Sequence, residues 1–331
     1  MVTLAVDAMG GDYGPRVTVP AVVQALKAQQ DLRVLLFGRQ ADIRAALPSD
    51  AGQLSDRLEI IHCEDVVSMA ETPSAALRSK KDASIRRMLE VVRDGQADGC
   101  VSAGNTGALM VLSRHVLRTN DCIDRPAIFS ALPRSDGCYT YVLDLGANVG
   151  CDSEQLYQFA RMGRAVVRVL ESIPDPRIAL LNIGSEDIKG NDQVKLAHEL
   201  IRSDEQLNYI GFVEGSDLFG DKADVVVCDG FVGNVALKTV EGLARYIIGE
   251  VRASFAQDWI GRLIGWLLRP YWRRVEARLN PGRYNGAALI GLRGVVVKSH
   301  GNAGEHEFLR AVLLASEYVQ KQLALRIEQE L

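Results

Sequence analysis

Short apolar, β-branched runs recur along the whole chain, at Thr3–Val6, Val34–Phe37, Leu58–Ile61, Cys100–Ser102, Ala127–Ala131, Tyr141–Leu145, Ile178–Ile183, Tyr209–Phe212, Val225–Cys228 and Gly294–Lys298. Between most of them the apolar residues fall at helical spacing instead, over Val17–Ala28, Ser84–Arg93, Ala108–Leu117, Ser153–Glu171, Asp192–Ile201 and from Val235 onward. Short β-branched runs mark strands, and recurrence at three and four residues marks helices. Strands alternating with helices predict an α/β fold, a largely parallel sheet with helices on both faces. No long repeat, low-complexity tract or linker interrupts the pattern. We therefore expect a single α/β catalytic domain over 1–331, with a helical projection at about 250–282.

Six of the expected strands run directly into Gly-rich loops. These are Asp7–Pro15, Ala103–Gly107, Gly146–Gly150, Gly184–Asn191, Asp229–Asn234 and Ser299–Gly304. In an open parallel sheet such loops share the edge where ligands bind. Glycine permits close backbone approach, and a helix beginning just beyond the loop turns its free N–H groups on an anion. Six such loops predict a cleft for a phosphorylated ligand.

The familiar signatures of other chemistries are missing. Gly10-Gly11-Asp12-Tyr13-Gly14 lacks dinucleotide spacing, and no loop reads GxxxxGK[ST]. There is no GxSxG elbow and no HExxH pair, and of five histidines only His300 sits in a Gly-rich loop. Attack by phosphate itself would need no enzyme nucleophile, only positioning and charge stabilisation.

Composition narrows the class. Hydrophobic residues make up 47% of 331, enough for a sizeable core, and the net charge of −4 speaks against nucleic-acid binding. The six cysteines have no CxxC spacing, so they read as reduced thiols of a cytoplasmic protein with no metal site. The N-terminus reads as a strand rather than a signal peptide, and no apolar run is long enough to span a bilayer.

In order along the chain, Asp7-Ala-Met-Gly-Gly-Asp-Tyr-Gly-Pro15, Ser102-Ala-Gly-Asn-Thr-Gly-Ala-Leu109, Asp144-Leu-Gly-Ala-Asn148, Leu181-Asn-Ile-Gly184 with Lys189-Gly190, Asp229-Gly-Phe-Val-Gly-Asn-Val-Ala-Leu-Lys238, Tyr284-Asn-Gly286 and Lys298-Ser-His-Gly301 resemble the PlsX-type acyl-carrier-protein:phosphate acyltransferases of bacteria. The resemblance implies transfer of a fatty acyl group from acyl carrier protein to inorganic phosphate. The acyl phosphate would then pass to a membrane glycerol-3-phosphate acyltransferase in phospholipid synthesis. It further implies a homodimer, no cofactor, and a Rossmann-like fold akin to isopropylmalate dehydrogenases and phosphotransacetylases. Two positions depart from the pattern: many members carry an acidic residue at Gly150 and a threonine at Val232. Two other readings stand beside this one, a phosphotransacetylase-like enzyme using acyl-CoA and a non-catalytic membrane-associated scaffold.

The resemblance assigns catalysis to Lys189 and Asn234. A cation there would strip and fix phosphate or stabilise the thioester oxyanion, and an amide N–H would serve the same oxyanion. His300 is a third candidate, as the group that protonates the departing thiolate. Each has a plainer reading: Lys189 as a surface lysine, Asn234 as a helix N-cap, His300 as a core or capping histidine. Gly10, Gly11, Asp12, Gly104, Asn105, Thr106, Gly107, Asn148 and Gly233 are the expected phosphate and substrate contacts, with Asp7 and Asp12 also able to organise their own loop. Arg78, Lys80, Lys81, Arg86 and Arg87 form a basic cluster suited to an acidic carrier protein.

All three tryptophans fall between 259 and 272. Phe255, Trp259, Leu263, Trp266 and Leu267 recur at helical spacing, and from Arg252 to Arg283 seven arginines stand against two acidic residues. Arginine beside tryptophan and leucine is the composition of an interfacial helix, with Trp259, Leu263, Trp266 and Leu267 as contacts to an anionic membrane surface. Arg262 inside the run opposes spanning, and Pro270 is expected to bend or end the helix. The expected location is the cytoplasm, peripherally associated with the inner face of the cell membrane. A stripe buried in a dimer interface or core is the competing expectation.

Overall fold

The computed structural model describes residues 1–279 and 285–331. Arg283, Tyr284 and residues 280–282 of the expected projection lie outside the described residues, as does the side chain of Arg278. The strands are β1 (Val2–Asp7), β2 (Leu32–Gly38), β3 (Leu58–His62), β4 (Gly99–Ser102), β5 (Ala127–Pro133), β6 (Tyr139–Leu143), β7 (Ile178–Leu181), β8 (Tyr209–Val213), β9 (Val225–Val227), β10 (Ala287–Ile290) and β11 (Val295–Lys298). The helices are α1 (Pro15–Ala28), α2 (Gln40–Ala46), α3 (Pro73–Ser79), α4 (Ser84–Arg93), α5 (Thr106–Leu117), α6 (Ser153–Glu171), α7 (Asp192–Ser203), α8 (Gly230–Ala256), α9 (Trp259–Leu279), α10 (Glu305–Gln320) and α11 (Leu323–Glu330).

The strands join one sheet in the order β3-β2-β1-β4-β11-β10-β5-β6-β9-β7-β8. Side chains alternate between its faces, as the two-residue period requires. Leu4, Val6, Val34, Leu36, Val225 and Val227 enter one core, beneath α1, α6, α7, α10 and α11. Ala5, Leu35, Phe37 and Val226 enter the other, beneath α3, α4, α5 and the first turns of α8. The largely parallel sheet, covered on both faces, is the architecture the sequence predicts.

One expectation is corrected. β3, β2, β1, β4 and β11 are parallel neighbours, and so are β6, β9, β7 and β8. Between the two blocks come three antiparallel pairings, β11–β10, β10–β5 and β5–β6. Three reversals make the blocks run in opposite directions. The loops after β1, β4 and β11 therefore leave one end of the sheet, and those after β6, β7 and β9 leave the other. Alternation of strand and helix predicts parallel neighbours within a block but is blind to the two short hairpins at the centre.

A buried aspartate organises the loops at each end. Asp7, 2% exposed, accepts from the hydroxyls of Ser84 (2.6 Å) and Ser102 (2.7 Å) and from the Met9 N–H. Ser102 in turn accepts from the Gly104 N–H at 2.9 Å. Asp144, with no exposure, accepts from the N–H groups of Ile128, Gly146, Ala147 and Asn148 and from the Asn148 side-chain amide, all within 2.7–3.2 Å. Burial pushes both carboxyls up, while these hydrogen bonds favour the charged form and oppose the shift.

α8 begins immediately after β9 and is capped by Asp229, whose carboxylate accepts from the Phe231 N–H at 2.8 Å. Its 27 residues reach about 40 Å at 1.5 Å per residue, far beyond the sheet it starts on. The chain reverses at Gln257–Asp258, where Asp258 accepts from the Gly261 N–H, and α9 packs back along α8. Gly265 lies against Phe255, and Arg252 pairs with Glu276. Pro270 does not end α9: the reversal lies twelve residues earlier, and the helix continues past one missing N–H.

Replacing Asp144 by alanine would orphan several buried backbone donors at once. We expect Asp144→Ala to lose at least about 3 kcal/mol of unfolding free energy. Urea denaturation measures this, and a loss within the range of an ordinary surface substitution would refute the assignment.

Candidate active site

A cavity of about 1100 Å³ opens between α8 and the central strand β5. Ile128, Ser130 and Leu132 of β5 line it from the sheet, together with Leu145 and Ala287. Helical spacing sorts the facing wall of α8 into two ridges. Asn234, Lys238 and Glu241 form one, and Leu237, Val240, Ala244 and Ile247 form the other. Lys298, Ser299, His300, Gly301 and Asn302 contribute from the end of β11, Thr106 from the start of α5, and Gly146 from the loop after β6. Loops from both ends of the sheet thus meet one cavity because α8 crosses from one end to the other.

The polar ridge is tied to the β11 loop through Glu241, which is 6% exposed. Its carboxylate lies 3.0 Å from the Lys238 ammonium and 3.3 Å from His300 Nε2. Burial holds the His300 imidazole below its usual range; Glu241 opposes this, and Lys238 and Lys298 reinforce it. Neutral imidazole at neutral pH can accept a proton but does not stand ready to donate one.

A family model described as fatty acid synthesis protein matches residues 2–326. Phosphate acyltransferases of Shewanella woodyi and Shewanella sediminis are each 49% identical over 329 residues, 99% of this chain and 96% of theirs. The chain belongs to the phosphate acyltransferase family. It is an acyltransferase. Its fold is that of a phosphotransacetylase from Streptococcus pyogenes (TM-score 0.61, 18% identity, 96% of this chain and 94% of that one). A branched-chain phosphotransacylase from Enterococcus faecalis is equally similar (TM-score 0.61, 17% identity, 99% of each chain).

Within this member of the family, the residues singled out from sequence divide into three groups. Asn234, His300 and Thr106 line the cavity. Asn234 is the fifth residue of α8; the cap is Asp229, so its amide is not used there. A second group shapes the loops. Gly10 sits where a Cβ would come within 2.6 Å of the Gly104 N, Gly11 has φ +87° against the Gly301 carbonyl, and Gly233 packs on the Asp144 carbonyl. Gly107 abuts Pro73. Asn148 is buried, donating to Pro126 and Asp144. Asn105 caps α5 through Ala108 while its amide donates to the carbonyls of Ser68, Met69 and Glu71. Asp12 is exposed and donates its N–H to Gly301.

The third group stands apart from the cavity. Lys189 is exposed on the loop after β7, beside Gly184, at the same end of the sheet as Asn234 but outside the cavity lining. The basic cluster is partly neutralised: Arg86 pairs with Glu90, Arg87 with Asp82 and Lys80 with Asp65. Arg78 and Lys81 keep no carboxylate partner among the described residues.

Sequence reasoning did not single out Glu241, Lys238 as a cavity residue, or Lys298. A signal existed: Lys298 closes an otherwise apolar strand just before a Gly-rich loop, and Lys238 and Glu241 stand three apart on the helix of Asn234.

Because Glu241 favours the imidazolium, Glu241→Gln should lower the His300 pKa further. A titration of the His300 ring signals by NMR checks this, and an upward shift would show that Glu241 does not act on that ring.

Proposed function

We propose that this acyltransferase moves a fatty acyl group from acyl carrier protein to inorganic phosphate, forming an acyl phosphate for phospholipid synthesis. The observation that carries the reading is the two-ridged wall of α8. One ridge is polar and meets a second lysine and a histidine; the other is apolar and faces the same space as Ile128 and Leu132. A cavity that is cationic along one side and apolar along the other suits a phosphate and a fatty acyl chain held together.

In this reading a phosphate oxygen attacks the thioester carbonyl carbon, and the carbonyl oxygen takes the charge. Asn234 donates its amide N–H to that oxyanion. The C–S bond then breaks, the acyl–oxygen bond remains, and the carrier thiolate leaves and takes a proton. The lone pair of neutral His300 can hold a proton released from phosphate and return it to sulfur. Lys189 serves the oxyanion or phosphate only if the loop 184–191 moves toward Gly146. In the family resemblance this lysine is catalytic, so it remains part of the proposal.

The homodimer belongs to the same reading. Ile183 and Ile188, on the same loop region as Lys189, are each 80% exposed, and Phe231 and Val232 beside Asn234 are exposed as well. Apolar residues so placed around a site suit coverage by a second copy. The hairpin of α8 and α9 is the proposed membrane contact. Trp259 is 73% and Trp266 68% exposed, and Leu263 and Leu267 stand beside them. Among the described residues no helix is long and apolar enough to cross a membrane. Peripheral docking at the inner face of the cell membrane would bring an amphiphilic product to a membrane glycerol-3-phosphate acyltransferase.

Incubation with palmitoyl-acyl carrier protein and phosphate, followed by hydroxylamine trapping, should yield hydroxamate. A product from palmitoyl-CoA alone would favour the phosphotransacetylase-like reading, and none from either would sink both. Lys189→Ala and Asn234→Ala should each lower turnover at least about a hundredfold with the fold intact. Near-normal turnover at saturating phosphate would remove that residue from the mechanism.

Flotation with anionic vesicles tests the hairpin. Leu263→Glu with Trp266→Glu should abolish flotation while sparing the oligomer and soluble activity. Dissociation or aggregation of this variant would place the stripe inside the protein assembly instead.

A further inference from the structure

Lys298 is the last residue of β11 and is 8% exposed, yet it lines the cavity. Its ammonium donates to two main-chain carbonyls, those of Ala103 (3.4 Å) and Ser299. Among the described residues no carboxylate lies within ion-pair distance of it. A buried cation with no counter-ion is destabilising, because carbonyl dipoles replace only part of its lost hydration. A lysine serving only to end a strand would extend to water or reach a carboxylate. Glu241 of the cavity wall is engaged by Lys238 and His300 instead.

A second, independent feature lies in the loop that follows. Gly301 and Asn302 line the same cavity, and their N–H groups have no acceptor among the described residues. Successive unengaged N–H groups in a turn favour an anion. We propose that Lys298, with Lys238 and the Gly301 and Asn302 N–H groups, forms a binding site for a phosphate-class anion. Two sources of that chemistry reach the cavity if the function proposed above holds. One is inorganic phosphate as co-substrate; the other is the phosphodiester of a carrier-bound or coenzyme A thioester.

The charge on Lys298 makes the site sensitive to pH. Burial, with Lys238 alongside, pushes its ammonium down to about 8, against the pull of Asp7 and Asp12. The charged groups on this side of the cavity are Lys238 and Glu241 from α8, His300 from its own loop, Asp7 at the end of β1 and Asp12 in the loop that follows. Below about 8 the cation is present, and above it the site loses its charge, so anion affinity falls as pH rises. The linked stability runs the other way. Between this value and the ordinary lysine range the unfolded chain binds the extra proton, so stability rises with pH there.

The experiment uses the full chain, inorganic phosphate as probe, and the variants Lys298→Met and Lys298→Arg. Thermal melts should show wild-type Tm rising with phosphate and the Met variant not responding. Without phosphate the Met variant should melt at or above wild type, since an unpaired buried charge is gone. In steady state, Lys298→Met should raise KM for phosphate at least about tenfold, with partial recovery in Lys298→Arg. A rise in KM for the acyl donor alone would instead identify the donor's phosphodiester as the occupant. The proposal is overturned if neither KM moves or if the phosphate-induced rise in Tm survives in Lys298→Met. Should Lys298→Met fold too poorly to assay, the wild type decides. Its phosphate-induced rise in Tm must fade between roughly pH 7 and pH 9, and a constant rise overturns the site. A Lys298-dependent phosphate response in a protein that makes no acyl phosphate would leave the site standing and refute the proposed reaction.

Discussion

A carboxylate without solvent exposure is tolerable only where donors surround it, and Asp144 meets that condition with five N–H groups. Those donors come from β5 and from the loop after β6, so one side chain fixes a strand to a loop. The loop so held leaves the Asp144 carbonyl and the Asn148 backbone against Gly233 and Gly230 at the start of α8. Any Cβ at Gly233 would collide with that carbonyl. The direction in which α8 departs, and hence the wall of the cavity, follows from this contact. Asp7 does the equivalent work at the other end of the sheet through Ser84 and Ser102.

Two organised loop clusters at opposite ends of a sheet would ordinarily make two unrelated sites. They meet here because α8 is long and lies across the central strands. Its fourth turn brings Glu241 to His300, which belongs to the far cluster. The same helix keeps its apolar ridge beside β5 and then continues past the sheet into the hairpin with α9. The cavity wall thus lies on α8, and the exposed Trp259 and Trp266 lie on α9, the second arm of the hairpin that α8 opens. Along the polar ridge Glu241 partly offsets Lys238, and Lys298 remains a buried cation with no ion pair among the described residues.

Much of this was legible in the residues. Local apolar periodicity placed ten strands, because a strand or helix buries its own face and the pattern is printed in the chain. It missed Ala287–Ile290, four residues joined to β11 by a tight turn and absorbed into one apolar stretch. The ordered Gly-rich motifs marked the loops that build the site, since close backbone approach leaves glycine as a visible trace. At Gly10 and Gly233 the close approach is to the chain's own backbone, at Gly104 and at the Asp144 carbonyl.

The sequence by itself determined the α/β class, the loop inventory, the family and the amphipathic segment around Trp259–Trp272. These follow from residue type and spacing along the chain. Only the tertiary structure decided that the loops leave two ends rather than one, because strand direction depends on pairing between distant segments. It also decided which polar residues face a common space. Asn105 and Asn148 look like ligand contacts in the sequence but spend their amides on backbone carbonyls and a buried acid. Lys298 looks like the end of a strand but stands as a buried cation in the cavity, with no ion pair among the described residues. Burial and the absence of a partner are properties of neighbours brought together by folding, and no local pattern encodes them.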